Sequence, residues 1–60
     1  MDIIFYDAQN LKEDYIYAKH NCLVKPNIGE SISLNEEIYD VVNISIDYEG
    51  NTIHVFVVKR

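Results

Sequence analysis

Apolar and polar residues alternate with a period of two through the carboxy-terminal half of the chain. Val42, Ile44, Ile46 and Tyr48 alternate with Asn43, Ser45 and Asp47. After Glu49-Gly50-Asn51 the alternation resumes, with Ile53, Val55 and Val57 on one face and His54, Phe56 and Val58 on the other. A period of two is expected of half-buried strands, and Gly-Asn between two such runs predicts a hairpin, because glycine takes positive φ without steric cost. With Gly50-Asn51 as the loop, Tyr48 faces Ile53, Ile46 faces Val55 and Ile44 faces Val57. A four-residue loop keeps that pairing, whereas a three-residue loop sets apolar residues against polar ones. On the reverse side Asp47 then faces His54, Ser45 faces Phe56 and Asn43 faces Val58. Phe56 and Val58 are apolar residues on the solvent side of a one-sided sheet, which marks a contact surface; in a sheet curled into a barrel, other segments would cover them.

Upstream, Ser31 to Leu34 reads as a short strand that Asn35-Glu36-Glu37 turns into a long one from Ile38. Along that long strand the apolar phase changes, from odd positions (Tyr39, Val41) to even ones (Val42 to Tyr48). A β-bulge near Val41 and Val42 accounts for the change and bends the strand as a small barrel requires. Pro26 to Glu30 is a connecting loop in which Gly29 supplies backbone freedom. Ile3 to Tyr6 is a strand, and Asn10 to Asn21 admits two readings. Asn10 as N-cap, Glu13 three residues on, and Leu11, Tyr15, Ala18 and Cys22 at helical spacing predict a short helix near residues 11–20. Tyr15-Ile16-Tyr17 favours a strand, with Asn10-Leu11-Lys12 turning a hairpin between Ile3 and Tyr17. The hairpin is the preferred reading. The fold class is thus mainly β: one domain over residues 1–60, a small curled antiparallel sheet or SH3-like partial barrel of about five strands.

A chain of 60 residues buries only about 60% of the surface its unfolded form exposes, so it needs support from elsewhere. Cys22 is the only cysteine, which excludes an internal disulfide and points to a reducing compartment. His20, Cys22 and His54 offer no metal-ligand spacing, so self-association is the remaining support. No run approaches the roughly 20 apolar residues of a membrane span, and the expected location is the cytoplasm, with no membrane partner.

The net charge is -5, unevenly distributed. Met1 to Lys25 holds four acids and three lysines, whereas Pro26 to Val58 holds six acids (Glu30, Glu36, Glu37, Asp40, Asp47, Glu49) and no base. Such a surface repels phosphate backbones and suits basic partners, besides keeping a small protein in solution. Nucleic acid is therefore an unfavoured partner: tyrosines 6, 15, 17, 39 and 48 would supply stacking rings, but Lys59 and Arg60 at a mobile end make no basic groove. The same rings serve protein contacts well.

Catalytic chemistry finds no footing in the residues. Glu36, Glu37 and Asp40 lack the spacing of a calcium loop. Asp47 with His54 reads as an exposed cross-strand pair without a nucleophile beside it. His20 and Cys22 share a strand face without an orienting third group, and a lone cysteine is chiefly a small buried hydrophobe. No enzyme activity, cofactor or metal is expected.

The stretch Pro26-Asn27-Ile28-Gly29-Glu30, with Ile32-Ser33-Leu34, Tyr39-Asp40-Val41-Val42 and Asp47-Tyr48-Glu49-Gly50-Asn51-Thr52-Ile53-His54-Val55, resembles small β-proteins encoded by phages and prophages of Gram-positive bacteria. The likeness covers about half the chain. It implies a phage-encoded accessory protein in a bacterial cytoplasm, some of which block host defence by binding a defence protein. In size and acidity the chain is similar to homodimeric proteins of the Hachiman anti-defence family, with no functional residue matched. The expected function is accordingly that of a non-enzymatic interaction module: a homodimeric inhibitor that binds a host protein. Its candidate contact residues are His54, Phe56 and Val58 with Tyr39 and the acids Glu36, Glu37 and Asp40. The alternatives are an acidic mimic of nucleic acid that blocks a basic groove, and a small-barrel nucleic-acid-binding or phage structural accessory protein.

Overall fold

A computed structural model describes all of residues 1–60. Five strands form: β1 (Asp2–Asp7), β2 (Tyr17–Lys19), β3 (Ser31–Leu34), β4 (Glu37–Asp47) and β5 (Thr52–Lys59). They make one sheet in the order β2-β1-β5-β4-β3, curled into a nearly closed barrel. There is no helix, so none is long and apolar enough to cross a membrane. The helical reading of residues 11–20 fails. β1 and β2 pair antiparallel instead, with Ile3 opposite Lys19 and Phe5 opposite Tyr17, a register centred on Leu11. Tertiary pairing outweighs the N-cap signal because Ile16 must turn inward, where its amide donates to the Phe5 carbonyl at 2.7 Å.

One central pair departs from the expected antiparallel sheet. β1 lies parallel to β5, Ile3 beside Ile53 and Phe5 beside Val55, so the first and last strands close the middle of the sheet. Residues at alternate positions then share a face across three strands. Ile3, Phe5, Ile53, Val55, Val57, Val41 and Leu34 form the buried core. Val55 and Val57 have no exposed surface at all.

The β4–β5 hairpin keeps the expected faces but not the expected partners. Ile46 lies opposite Ile53 and Ile44 opposite Val55, and a four-residue loop runs from Tyr48 to Asn51. Tyr48 therefore leaves the inner face for the loop, where it is 79% exposed. The cause is local chemistry. Asp47 Oδ1 accepts the Gly50 amide at 2.9 Å, which fixes a turn beginning at Asp47, and Asn51 rather than Gly50 takes the positive φ (55°). A shift of two preserves side-chain parity, so apolar residues still meet apolar ones. The phase change in β4 is a bulge, with the register slipping between Val41 and Asn43 so that Val42 is the extra residue.

The inner face is crossed by the segment from Asn21 to Pro26. Cys22 anchors it, packed half-buried against the core, while its amide donates to the Met1 carbonyl at 2.8 Å. Asn21 N donates to Asp2 Oδ1 at 3.2 Å.

Candidate protein-contact face and the open seam

Parity along β1 and β5 builds the outer face from residues far apart in sequence. Ile4 lies beside His54 and Tyr6 beside Phe56, Ala18 flanks Ile4, and Val58 flanks Asp40. All are half-buried, because each ring or branched side chain shelters its neighbours. Tyr6 stacks on Phe56 with ring centroids 5.4 Å apart and an interplanar angle of 23°. It also tilts over His54 at 5.6 Å, and its hydroxyl lies 3.0 Å from His54 Nδ1. Such pairs add about 0.5–1.5 kcal/mol beyond area burial, so the three rings form one pre-ordered block. Each of its members is half-buried, neither in the core nor fully exposed.

The candidate residues divide accordingly. His54, Phe56, Val58 and Asp40 come together on the outer face. Tyr39 does not join them; it sits before the bulge on the parity of Val41 and packs against the core. Glu37 follows the same inner parity opposite Leu34, and Glu36 lies at the β3–β4 turn with φ of 68°. Asp47 faces Thr52, and Ser45 faces His54, so the expected Asp47–His54 pair is absent and Tyr6 takes its place. Sequence reasoning placed Tyr6 only among the general contact tyrosines. Its partnership with Phe56 depends on the parallel pairing, which no local pattern signals.

Charge is more balanced than the linear sequence suggests. The carboxy-terminal bases are paired in the fold: Lys59 Nζ lies 3.0 Å from Glu37 Oε2 and Arg60 Nη2 lies 2.9 Å from Asp40 Oδ1. Arg60 also donates to Ser31 Oγ at 2.6 Å, and Ser31 donates to Asp40 at 2.9 Å. The Ser31 hydroxyl, followed by the Arg60 guanidinium, holds the Asp40 carboxyl below its ordinary value. Glu37 raises the Lys59 ammonium above its usual value by accepting its hydrogen bond. At the other end of the sheet the Asn21 amide, with His20 3.2 Å away, lowers Asp2. Both bases beside Asp40 and Val58 are thus paired.

The five tyrosines do not form one platform. Tyr6 is outward, Tyr17 lies 6.2 Å from the buried Phe5 ring, Tyr39 is on the core side, and Tyr15 and Tyr48 are exposed. No group of three or more His, Cys, Asp or Glu side chains is placed to hold a metal ion.

A second surface lies on the inner side, where the barrel fails to close. The edge strands β2 and β3 face each other across a pocket of about 630 Å³. Ile3, Phe5, Ile32 and Leu34, with Tyr17, Cys22 and Val24, form its apolar part, and Lys19 and Lys25 stand among its lining residues. At one end Asn35 Nδ2 reaches across to the Ile16 carbonyl at 3.3 Å. No family model matches the chain, and neither does any curated protein or solved structure.

Proposed function

We propose that this domain is a non-catalytic protein-binding module whose contact surface is the outer face of β1 and β5. The observation behind this reading is the stacked Tyr6–Phe56–His54 block, flanked by Ile4 and Val58, half-buried on the side of the sheet opposite the core. Aromatic anchors dominate binding energy at protein interfaces, and rings already held against one another lose little freedom on association. A face is favoured over an edge. β2 and β3, the two edges, have only three and four residues, and short edges discourage strand addition.

The partner is a protein rather than a nucleic acid, since the face holds Asp40 and the bases beside it are paired, and phosphate recognition requires cations. The first occupant is a second copy, giving a homodimer. The resemblance to phage proteins extends the proposal to a host defence protein as target, with inhibition as the effect. Pairing of Glu37 and Asp40 with Lys59 and Arg60 thins the acidic surface that a nucleic-acid mimic would need.

Sedimentation of the purified protein at micromolar concentrations, beside the Phe56→Asp variant, tests the reading. A dimer that becomes a folded monomer in the variant supports self-association through this face. A monomeric parent whose host partner is lost by the variant supports the inhibitor form. A variant that unfolds, or that keeps every association of the parent, removes the outer face as the contact surface.

A further inference from the structure

We propose that the open seam between β2 and β3 is a binding site for a small amphipathic anion: an apolar body bearing a single carboxylate. Three features converge there. Tyr17 and Lys19 take the inner parity of Phe5 and Ile3, and Ile32 and Leu34 take the inner parity of β3, so both edges turn apolar side chains toward one gap. At about 630 Å³ the gap falls within the usual range of small-molecule sites, roughly 300–1,000 Å³.

The third feature is charge. Of five basic residues in a chain of net charge -5, Lys59 and Arg60 are consumed by ion pairs. Lys19 and Lys25 enter no ion pair and both line this pocket. Only Lys12 lies elsewhere. Glu30 also lines the pocket; its carboxylate accepts the Asn27 amide, which orients it toward its own loop but leaves its charge, so the two lysines outnumber it by one. An acidic protein thus lines an apolar hollow with two lysines that have no ion-pair partner against one glutamate, an excess of positive charge that attracts an anion with an apolar tail and disfavours its neutral or cationic counterparts.

Decanoate, below its micelle-forming concentration, is the probe, with decanol and decyltrimethylammonium as counterparts. Amide resonances of Ile3, Phe5, Ile32 and Leu34 should shift saturably with decanoate, and the affinity should fall as salt rises. Replacing both lysines, Lys19→Gln with Lys25→Gln, should weaken decanoate roughly tenfold, as expected for two solvent-screened charge contacts. Lys12→Gln should leave the affinity unchanged, as should Phe56→Asp, which separates this site from the outer face. Equal binding of decanol or the cationic probe, indifference to the lysine pair, or no saturable shift at these four positions would overturn the proposal.

Discussion

Glu36→Gly should stabilise this protein, against the general rule that glycine weakens a folded chain. Leu34 pairs with Glu37 across a two-residue loop in which Asn35 and Glu36 have φ of 51° and 68°. Two successive positive φ values define the type I′ turn, whose preferred sequence is Asn-Gly. Asn35 fits that preference, and Glu36 does not. A side chain bearing Cβ in the left-handed region costs about 1–2 kcal/mol, and glycine returns about 0.5–1 kcal/mol of that through its looser unfolded state. Glu36 is exposed and takes part in none of the ion pairs, so its removal sacrifices no contact. The net gain is about 0.5–1 kcal/mol. With an unfolding entropy of about 2.1 cal/mol/K per residue, a chain of 60 residues should melt about 4–8 °C higher. Thermal unfolding followed by circular dichroism is the assay, with Glu36→Ala as control because it removes the same charge and keeps Cβ. If alanine raises the melting temperature as far as glycine, relief of repulsion near Glu37 is the cause and the backbone argument fails. If glycine lowers it, the turn is not of this type.

Other substitutions test other links. Val57→Asp, which puts a charge at a position without exposed surface, should abolish cooperative urea unfolding, while Phe56→Asp one residue away should retain it; two unfolded variants would contradict the assignment of faces. Asn51→Val, a β-branched residue at φ 55°, should cost about 1–2 kcal/mol, and Asn51→Gly should come within about 0.5 kcal/mol of the parent; an undisturbed valine variant would move the positive φ elsewhere in the loop. Gly29→Ala should cost about 1 kcal/mol even though its Cβ would meet nothing within 4 Å, because φ of 93° excludes alanine; equal urea midpoints would contradict this. For pH, Asp2 and Asp40 have folded values below their unfolded ones, so their contribution is present above the ordinary carboxylate value near 4 and is lost as pH falls through the lowered values. Lys59, raised in the fold, contributes at neutral pH and ceases to do so as pH rises through its elevated value. The acid-side loss in melting temperature should shrink in Asp40→Asn; an unchanged profile would exclude Asp40 as a source.

Much of the fold was legible because alternation is a local property. β5, with buried and half-buried residues in strict turn, declares its two faces without help from the rest of the chain. The bulge at Val42 was equally readable, since a phase change in a continuous strand has few other causes. The hairpin register was not. Gly50-Asn51 looks like a turn centre, but the Asp47 carboxylate captures the Gly50 amide and starts the turn earlier, and that competition between side chain and backbone has no periodic signature. The parallel placement of β1 beside β5 leaves no local trace either. Hence Phe56 and Val58 could be assigned to the outer face from sequence, whereas Tyr6, on a strand 48 residues from His54, could not be joined to them. The seam was hidden for the same reason: Lys19 and Lys25 acquire a common purpose only once the short strands β2 and β3 stand opposite each other.

The parallel ladder also governs when the molecule can come into being. Within this sheet β1 is made before every other strand and β5 after them all, yet each supplies the other's neighbour in the centre of the sheet. Ile3 and Phe5 lack their immediate ladder neighbours until Ile53 and Val55 arrive. This sheet must therefore wait for β5 before its central ladder can condense, and the delay suits a topology whose decisive contacts are the most distant ones. Until that moment the nascent polypeptide holds Ile3-Ile4-Phe5-Tyr6 as an uncapped, sticky segment, which chaperones or a second nascent copy would meet first.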